Sequence, residues 1–291
     1  MAHESRPLGP FRLSPIGLGA MRLTGPGVFG PPADRDEAIR LLREAVASGI
    51  DHIDTAQYYG PAIANELIRE ALHPYRAGLT LVSKVGAARD GRGGVIAFDE
   101  PAQLRQGIED NLRSLGVDML PVVNLRLMRG GEVDAFFDDQ LAAMTEARDE
   151  GLIGAVGLSN VTLPQLLHGL APTELACVQN AFNLANRRSQ PIVDECTRRG
   201  VAFVPFWPLG AGSQGGDAVL EDPRVKQVAH RVGSTPGQVA LAWLLQHAPN
   251  VLLIPGTSSR VHLRENLAAG ALHLDEQAVR ELSEPGGAKY E

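Results

Sequence analysis

The stretch HIDTAQYYGPAIANELIREALHPYRAGLTLVSKV, residues 52–85, decides the fold. It begins with a short apolar run, His52–Ala56, and ends with a second one, Leu79–Val85. Between them, Ala62–Leu72 has the periodicity of a helix. A strand, a helix and another strand in this order predict parallel strands that are joined by a crossover helix.

The same alternation continues in both directions along the chain. The predicted strands are Ile16–Met21, His52–Ala56, Leu79–Val85, Leu120–Leu125, Ala155–Ser159, Ala176–Ala181, Ala202–Trp207 and Val251–Pro255. The predicted helices are Asp36–Ser48, Ala62–Leu72, Pro101–Leu115, Val133–Glu150, Leu163–Gly169, Pro191–Arg199, Pro236–His247 and His262–Ala269. About eight parallel strands close a barrel, so we predict an α/β protein with a single (β/α)8 TIM barrel over residues 1–291. An open, doubly wound sheet is the alternative, but no GxGxxG motif follows an early strand.

Two Gly-rich segments interrupt this alternation. Residues 86–98 (GAARDGRGGVIAF) and 210–224 (GAGSQGGDAVLEDPR) each follow a predicted strand, and we interpret both as loops. In a parallel barrel such loops open on the face formed by the C-terminal ends of the strands, where we expect the active site.

Composition and charge exclude several classes of protein. The 291 residues are 44% hydrophobic and 21% charged, which excludes collagen, coiled coils and intrinsic disorder. The net charge of -7, without blocks of like charge, argues against nucleic acid or an anionic membrane as the partner. Cys177 and Cys196 lack the spacing of a zinc site, so we predict no metal and a reducing compartment. With neither a signal peptide nor a membrane span in the sequence, we expect a soluble cytoplasmic protein. A monomer is plausible, and the oligomeric state stays open.

Polar residues stand at or just after the ends of the predicted strands. Such groups are unfavourable inside a barrel unless they bind each other or a ligand, so we expect them to form a site. They are Asp54, Tyr59, Lys84, Asn124, Arg126, Ser159, Asn160, Gln179 and Asn180.

Asp54, Lys84 and Tyr59 together suggest a general acid. Asp54 and Lys84 end neighbouring predicted strands and can form an ion pair, which could also be merely structural. Tyr59 follows Asp54 on a loop that can return its phenol to the pair. An ammonium group beside a phenol stabilises the phenolate and makes the phenol a better proton donor. Tyr58 is the alternative to Tyr59.

The segment GTSSRVHLREN, residues 256–266, leads from a loop into a helix. Its hydroxyl groups, backbone N–H groups and two arginines, Arg260 and Arg264, form a candidate anion site. An ordinary capped helix with solvated arginines is the alternative.

These motifs resemble the aldo-keto reductase superfamily. They are DTAQYYG at 54–60, SK at 83–84, GLSN at 157–160, QN at 179–180, and IPGTSS with EN within 254–266. The resemblance covers nearly the whole chain in the order of the family. It implies a (β/α)8 barrel that binds NADPH without a Rossmann domain. It also implies hydride transfer to the carbonyl carbon of a small-molecule substrate, with a tyrosine protonating the oxygen.

The resemblance also implies roles for individual residues. Tyr59 would donate the proton, and Lys84 and Asp54 would adjust the pKa of its phenol. Ser159, Asn160 and Gln179 would hold the nicotinamide carboxamide, and Phe206 would stack on its ring. The adenosine phosphate would be bound at Gly256, Thr257, Ser258, His262, Glu265 and Asn266.

Arg126 stands where most family members have a histidine. An arginine stays charged and cannot relay a proton, but it can hydrogen-bond a carbonyl, a phenolate or a phosphate. It could also form a salt bridge without a role in turnover. At finer grain, GAMRLTGPGVFGPP at 19–32 and VVNLR at 122–126 resemble a bacterial subgroup that includes pyridoxal reductase. This resemblance implies pyridoxal as the first candidate substrate.

Two other functions remain open at this point. One is a catalytically slow, NADPH-binding regulatory subunit similar to the potassium-channel beta subunits, which Arg126 would favour. The other is a barrel isomerase that uses Lys84 as a Schiff base.

Overall fold

Parallel strands curl around a common axis in the structure, a computed structural model that describes residues 5–128, 131–210 and 218–284. Seven strands are hydrogen-bonded in the order β10-β9-β8-β7-β5-β4-β3, and β6 pairs with β5 outside this path. The strands are β1 Arg6–Leu8, β2 Phe11–Leu13, β3 Leu18–Gly19, β4 His52–Asp54, β5 Thr80–Arg89, β6 Val95–Phe98, β7 Leu120–Arg126, β8 Ile153–Ser159, β9 Leu175–Gln179 and β10 Ala202–Phe203.

The segment 250–256 closes the sheet into a barrel. On one side, the Phe203 amide of β10 donates to the Asn250 carbonyl at 2.9 Å. On the other side, Leu253 donates to the Pro15 carbonyl and accepts from the Gly17 amide, both at 2.8 Å. The predicted eighth strand is thus present as a series of single bridges. Because the two edges are joined, the open doubly wound sheet is excluded and the barrel is confirmed.

Helices surround the strands at the positions that the sequence predicts, with ends that differ by a few residues. They are α1 Arg35–Ala47, α2 Ile63–Leu72, α3 Pro101–Leu115, α4 Ala135–Asp149, α5 Leu163–Gly169, α6 Gln190–Arg199, α7 Ala218–Glu221, α8 Pro223–Val232, α9 Pro236–His247, α10 Arg260–Ala268 and α11 Glu276–Ser283. Gly116 and Gly200 end α3 and α6 with φ of 71° and 70°, a left-handed conformation that favours glycine.

A hairpin formed by β1 and β2 packs against the inside of the barrel at the N-terminal ends of its strands. Leu8 and Leu13 of this hairpin belong to the same buried cluster as Val82, Val122 and Cys177 of the barrel strands. A larger apolar cluster fills the space between strands and helices. The N-terminal end of the barrel interior is therefore packed with apolar side chains.

The interpretation of residues 86–98 as a loop is wrong. β5 continues to Arg89 and pairs in antiparallel fashion with β6, so the segment is a β-hairpin. Its turn is held by Asp90, whose carboxylate accepts hydrogen bonds from the Arg92 and Gly94 amides, both at 2.8 Å. The dipeptide Asp90-Gly91 is a turn signal that favours hairpins. The sequence analysis missed the hairpin because it interpreted the high glycine content as a loop.

The interpretation of residues 210–224 as a loop is wrong in part. Residues 218–221 form α7 and α8 begins at Pro223, whereas 211–217 lie outside the described residues. Two unpredicted helices, α8 and α11, bury the residues Val225, Val228 and Leu282 against the barrel.

Within the described ranges, no helix combines the length and the apolar character that crossing a membrane requires. The same residues contain no cluster of His, Cys, Asp or Glu with the composition of a metal site.

Candidate active site

The alternation of side chains along the barrel strands separates an apolar layer from a polar one. Val82 on β5 and Cys177 on β9 point into the apolar interior. Side chains two residues apart lie on the same face of a strand, so Lys84 and Gln179 also point inward, nearer the C-terminal ends. The strands therefore bring Lys84 and Gln179 together at this mouth of the barrel. Asn180, the neighbour of Gln179, is instead hydrogen-bonded to the backbone of Val161.

A buried ion pair lies at the centre of the polar layer. The Lys84 ammonium donates to Asp54 Oδ1 and, at 3.1 Å, to the Thr55 carbonyl. Gln179 Nε2 donates to the other oxygen of Asp54 at 2.7 Å. The side chains of Lys84 and Asp54 are both only 4% exposed. The predicted pair is thus present, and its two charges compensate each other.

Tyr59 lies against this pair. Lys84 Nζ is 5.2 Å from the centroid of the Tyr59 ring, and the residue is 8% exposed. Burial raises the pKa of the Tyr59 phenol, and Asp54 raises it further, whereas Arg126 and Arg89 lower it. We expected Lys84 to sit against the hydroxyl group and make it more acidic. The structure differs, because the ammonium is directed to Asp54 and is neutralised there. The phenol is therefore protonated at neutral pH.

Tyr58 lies beside Tyr59, and the two phenols interact. Its ring meets that of Tyr59 edge-to-face with 5.1 Å between the centroids. Tyr58 lines a cavity of about 950 Å³ on the outside of the barrel, whose wall also includes Glu66 of α2 and Arg113 of α3. Tyr59 is not among the described residues that line this cavity. The contact between Lys84 and the Tyr59 ring favours Tyr59 over Tyr58 as the tyrosine of the site.

Arg126 ends β7 at the rim of the same mouth, opposite Ser159 of β8. Its guanidinium carbon is 5.9 Å from the centroid of the Phe206 ring. Its Nε is buried and has no hydrogen-bond partner among the described residues. The residue is thus a cation inside the site, with a donor left for a ligand.

Two further buried polar atoms at this mouth have no partner among the residues that the structure describes. They are the Ser159 hydroxyl and the Gln179 Oε1. Buried polar groups are normally hydrogen-bonded, so atoms of this kind at the mouth of a barrel indicate a ligand site. A hydroxyl and an amide oxygen fit a primary carboxamide, which both donates and accepts hydrogen bonds. Asn160 is exposed and donates from Nδ2 to the Leu127 carbonyl at 2.9 Å, which holds its side chain at the end of β8.

Phe206 lies on the chain just after β10. Its amide donates to the Asn180 carbonyl at 3.1 Å, which extends the pairing between β9 and β10 toward the mouth. The next residue, Trp207, has a φ of 55°, which is uncommon for a residue other than glycine, asparagine or aspartate. This backbone geometry and the contact with Arg126 place the Phe206 ring at the rim of the site.

The segment 256–266 forms a loop followed by the first turns of α10. The Thr257 hydroxyl accepts from the Ser259 amide at 3.0 Å, and Ser259 caps the helix by accepting from the His262 amide at 3.4 Å. Of the predicted phosphate-site residues, Gly256, Ser258 and His262 are exposed, Glu265 is half-buried, and Thr257 and Asn266 are buried.

Both arginines of α10 face α1. Arg260 contacts Glu37 at 3.1 Å and Glu44 at 3.3 Å, and Arg264 contacts Glu44 at 2.7 Å. Their side chains are 41% and 62% exposed. The structure therefore shows two partly exposed cations near the predicted phosphate site, each with an acidic partner that the sequence analysis missed.

A buried polar network behind the site was also missed. Asn111 of α3 accepts hydrogen bonds from the Asn65 amide at 2.9 Å and the Ser83 hydroxyl at 2.6 Å. It donates to Gln57 at 3.2 Å, and Asn65 accepts from the Thr55 hydroxyl at 2.7 Å. The network joins α2 and α3 to the two residues that precede Tyr58 and Lys84 along the chain. A polar residue on the apolar stripe of α3 was the signal that could have indicated it.

Arg89 is a further residue without an assignment from the sequence. It donates to the Tyr58 carbonyl at 3.4 Å and to the Gly93 carbonyl at 2.7 Å. These bonds fix the hairpin next to the tyrosine loop. The sequence could not indicate this contact, because residues 86–98 were interpreted as a loop.

A barrel with a tyrosine, an ion-paired lysine and two buried polar atoms without a partner among the described residues of its C-terminal mouth has the features of a reductase. The chain belongs to the Aldo/keto reductase family, whose model matches residues 15–285. The family resemblance predicted from the motifs is thus confirmed.

Similar proteins support this membership. Pyridoxine 4-dehydrogenase of Escherichia coli strain K12 is 47% identical over 285 residues, which cover 97% of this chain and 98% of the relative. An uncharacterized oxidoreductase of Schizosaccharomyces pombe is 34% identical over 279 residues, covering 96% and 89% of the two chains. The first of these supports the subgroup resemblance.

Solved structures agree with the barrel. The thermostable aldo-keto reductase Tm1743, crystallised with the inhibitor epalrestat, has a TM-score of 0.81 and 28% identity, covering 97% of this chain and 98% of its own. An aldo/keto reductase from Klebsiella pneumoniae, crystallised with NADP and acetate, has a TM-score of 0.80 and 25% identity, covering 99% and 98%.

Proposed function

We propose that the protein is an NADPH-dependent reductase that converts aldehydes to primary alcohols, with pyridoxal as the first candidate substrate. The observation that carries this proposal is the pair of buried, unpartnered atoms, Ser159 Oγ and Gln179 Oε1, beside the Tyr59, Lys84 and Asp54 cluster. The active site lies at the C-terminal ends of the strands of one barrel.

The residues at the mouth fit a nicotinamide cofactor. Ser159 and Gln179, with Asn160 beside them, would hold the carboxamide, and Phe206 would contact the nicotinamide ring. The loop 256–259 and the first turn of α10 would bind the adenosine phosphate, with Arg260 and Arg264 as its cationic partners. When bound, NADPH supplies a hydride to the carbonyl carbon of the substrate. The crystal structures of the Klebsiella pneumoniae enzyme with NADP or NADPH support this choice of cofactor.

Tyr59 supplies the proton. Its phenol is protonated at neutral pH because burial raises its pKa, so a proton is available when the carbonyl oxygen becomes negative. The phenolate that remains is stabilised by Arg126 and Arg89, and it regains a proton from solvent. The balanced reaction is aldehyde plus NADPH plus one proton, giving the primary alcohol and NADP. Lys84 and Asp54 hold the tyrosine in place as a neutral pair.

Pyridoxal is chosen because of the 47% identity to a pyridoxine 4-dehydrogenase. The reduction of pyridoxal yields pyridoxine, so the two names describe opposite directions of one reaction. We also propose a cytoplasmic location, because Cys177 and Cys196 are both free thiols, as in reducing compartments.

The matched pair Tyr59→Phe and Tyr58→Phe tests the proposal. The oxidation of NADPH is followed by absorbance in the presence of pyridoxal. We expect Tyr59→Phe to lower kcat by about 100- to 10,000-fold, the usual contribution of a general acid, without weakening NADPH binding. Tyr58→Phe should retain most of the activity.

Equal loss in both variants, or full activity of Tyr59→Phe, would contradict the assignment of the proton donor. If the wild-type protein binds NADPH tightly but transfers no hydride to any aldehyde in a single turnover, the regulatory-subunit alternative is correct. The charge of Arg126, which cannot relay a proton, is the feature in favour of that alternative.

A further inference from the structure

Arg126 is a permanent cation inside the site without an acidic partner. Among the described residues, no carboxylate lies within ion-pair distance of its guanidinium, and the nearby Asp54 is already bound by Lys84 and Gln179. Its Nε is buried and makes no hydrogen bond there. A buried charged donor without an acceptor is unfavourable, so this group is suited to binding a ligand with negative charge.

The position of Arg126 indicates which part of a ligand it meets. Its guanidinium carbon is 5.9 Å from the centroid of Phe206, the ring that carries the nicotinamide in the proposed function. Its positive charge also lowers the pKa of the Tyr59 phenol. In the proposed function the reacting carbonyl would lie between Tyr59 and the nicotinamide. Arg126 would then be beside the carbonyl, within reach of a substituent on the neighbouring atom.

Arg89, a second arginine near the tyrosines, is not suited to this role. Its guanidinium donates to the backbone carbonyls of Tyr58 and Gly93, which hold it on the hairpin. Arg126 is also unable to relay a proton, because a guanidinium does not lose its charge in proteins. Anion binding is the remaining chemistry for its unpartnered N–H group.

We propose that Arg126 selects aldehydes that carry an ionised hydroxyl group ortho to the aldehyde, by donating a charge-assisted hydrogen bond to that oxyanion. This inference rests on the proposed function and specifies its substrate class. Pyridoxal belongs to this class, since its ring hydroxyl lies ortho to its aldehyde.

Two substrates that differ only at this oxygen test the inference. 3-Hydroxyisonicotinaldehyde has the ionised hydroxyl at slightly alkaline pH, and 3-methoxyisonicotinaldehyde has the same ring with the charge blocked. The quantity measured is the ratio of their kcat/KM values with NADPH, for the wild-type protein and for Arg126→Met and Arg126→Lys. Comparing the ratio between proteins cancels the intrinsic reactivity of the two aldehydes.

We expect Arg126→Met to lower this ratio by about 10- to 100-fold, the effect of losing one hydrogen bond to a charged group. Arg126→Lys should retain most of the ratio, because it keeps the charge. Thermal unfolding and an NADP titration identify a variant that has not folded, in which case Arg126→Gln replaces it.

An unchanged ratio in folded Arg126→Met overturns the inference and leaves the proposed function intact. An equal loss with both aldehydes also overturns it, because Arg126 would then act on the carbonyl itself. If the wild-type protein reduces neither these aldehydes nor pyridoxal, the proposed function fails, and the inference fails with it.

Discussion

Glu44 of α1 is expected to weaken the binding of NADP by competing with its 2′-phosphate. Glu44 contacts Arg264 at 2.7 Å and Arg260 at 3.3 Å. In the proposed function the same guanidinium groups bind the phosphate. Each arginine must then release Glu44 first, so the variant Glu44→Gln should bind NADP more tightly.

The size of the effect follows from the exposure of these ion pairs. The side chains of Arg260 and Arg264 are 41% and 62% exposed, and that of Glu44 is 20% exposed. Ion pairs at such exposed positions contribute about 0.2 to 1 kcal/mol each. Removing two competing pairs therefore favours NADP binding by about 0.4 to 2 kcal/mol, or a Kd that is about 2- to 30-fold lower. The gain should shrink at high salt, because exposed charges are screened.

Isothermal titration of the purified protein with NADP and with NAD measures this effect. NAD lacks the 2′-phosphate, so its affinity should not change in Glu44→Gln. Glu70→Gln is the matched control, because Glu70 forms a similar exposed pair with Arg35, at 2.5 Å, without contacting α10. Unchanged or weaker NADP binding by Glu44→Gln would refute the reasoning, since Glu44 would then orient the arginines. An equal gain for NAD would refute it as well.

Three further outcomes are expected. Asn111→Ala removes several hydrogen bonds from a buried network and leaves a cavity, so urea unfolding should show a loss of stability of about 3 to 5 kcal/mol. Ser114→Ala removes the bond from Asn65 and two bonds from the Ser114 hydroxyl to carbonyls of its own helix, and it should lose about 1 kcal/mol; equal losses would contradict the network. Asp54→Asn leaves the buried Lys84 without its counter-charge and should lower the unfolding free energy by about 3 to 5 kcal/mol, a loss that a merely superficial pair would not show. Burial and Arg187 lower the pKa of His247, so the folded protein binds fewer protons than the unfolded chain below about pH 6.5. The contribution of the neutral His247 to stability is complete above that pH and is lost on acidification. The melting temperature should therefore fall less steeply between pH 7 and pH 5 for His247→Gln than for the wild-type protein, and parallel curves would contradict this sign.

Much of the barrel could be predicted because its signals are local. The alternation of short apolar runs with helical stretches depends on neighbouring residues, as do the glycines that end α3 and α6. The two-residue period of a strand also places Lys84 on the same face as Val82, and Gln179 on the same face as Cys177. The sequence could therefore predict that both polar residues point into the barrel. α8, with Val225, Val228 and Ala229 buried at helical spacing, had an equally local signal that the proline and glycine content nearby obscured.

The sequence by itself thus determined the order of the elements, the family and the residues that line the mouth of the barrel. The tertiary structure decided how the charges are paired there: Lys84 with Asp54, Arg264 with Glu44 across 220 positions of the chain, and Arg126 with no acid among the described residues. The physical reason is the separation along the chain of the residues that decide each feature. Secondary structure follows from contacts a few residues apart, whereas the partner of a charge depends on which distant side chains the closed barrel brings within a few ångströms.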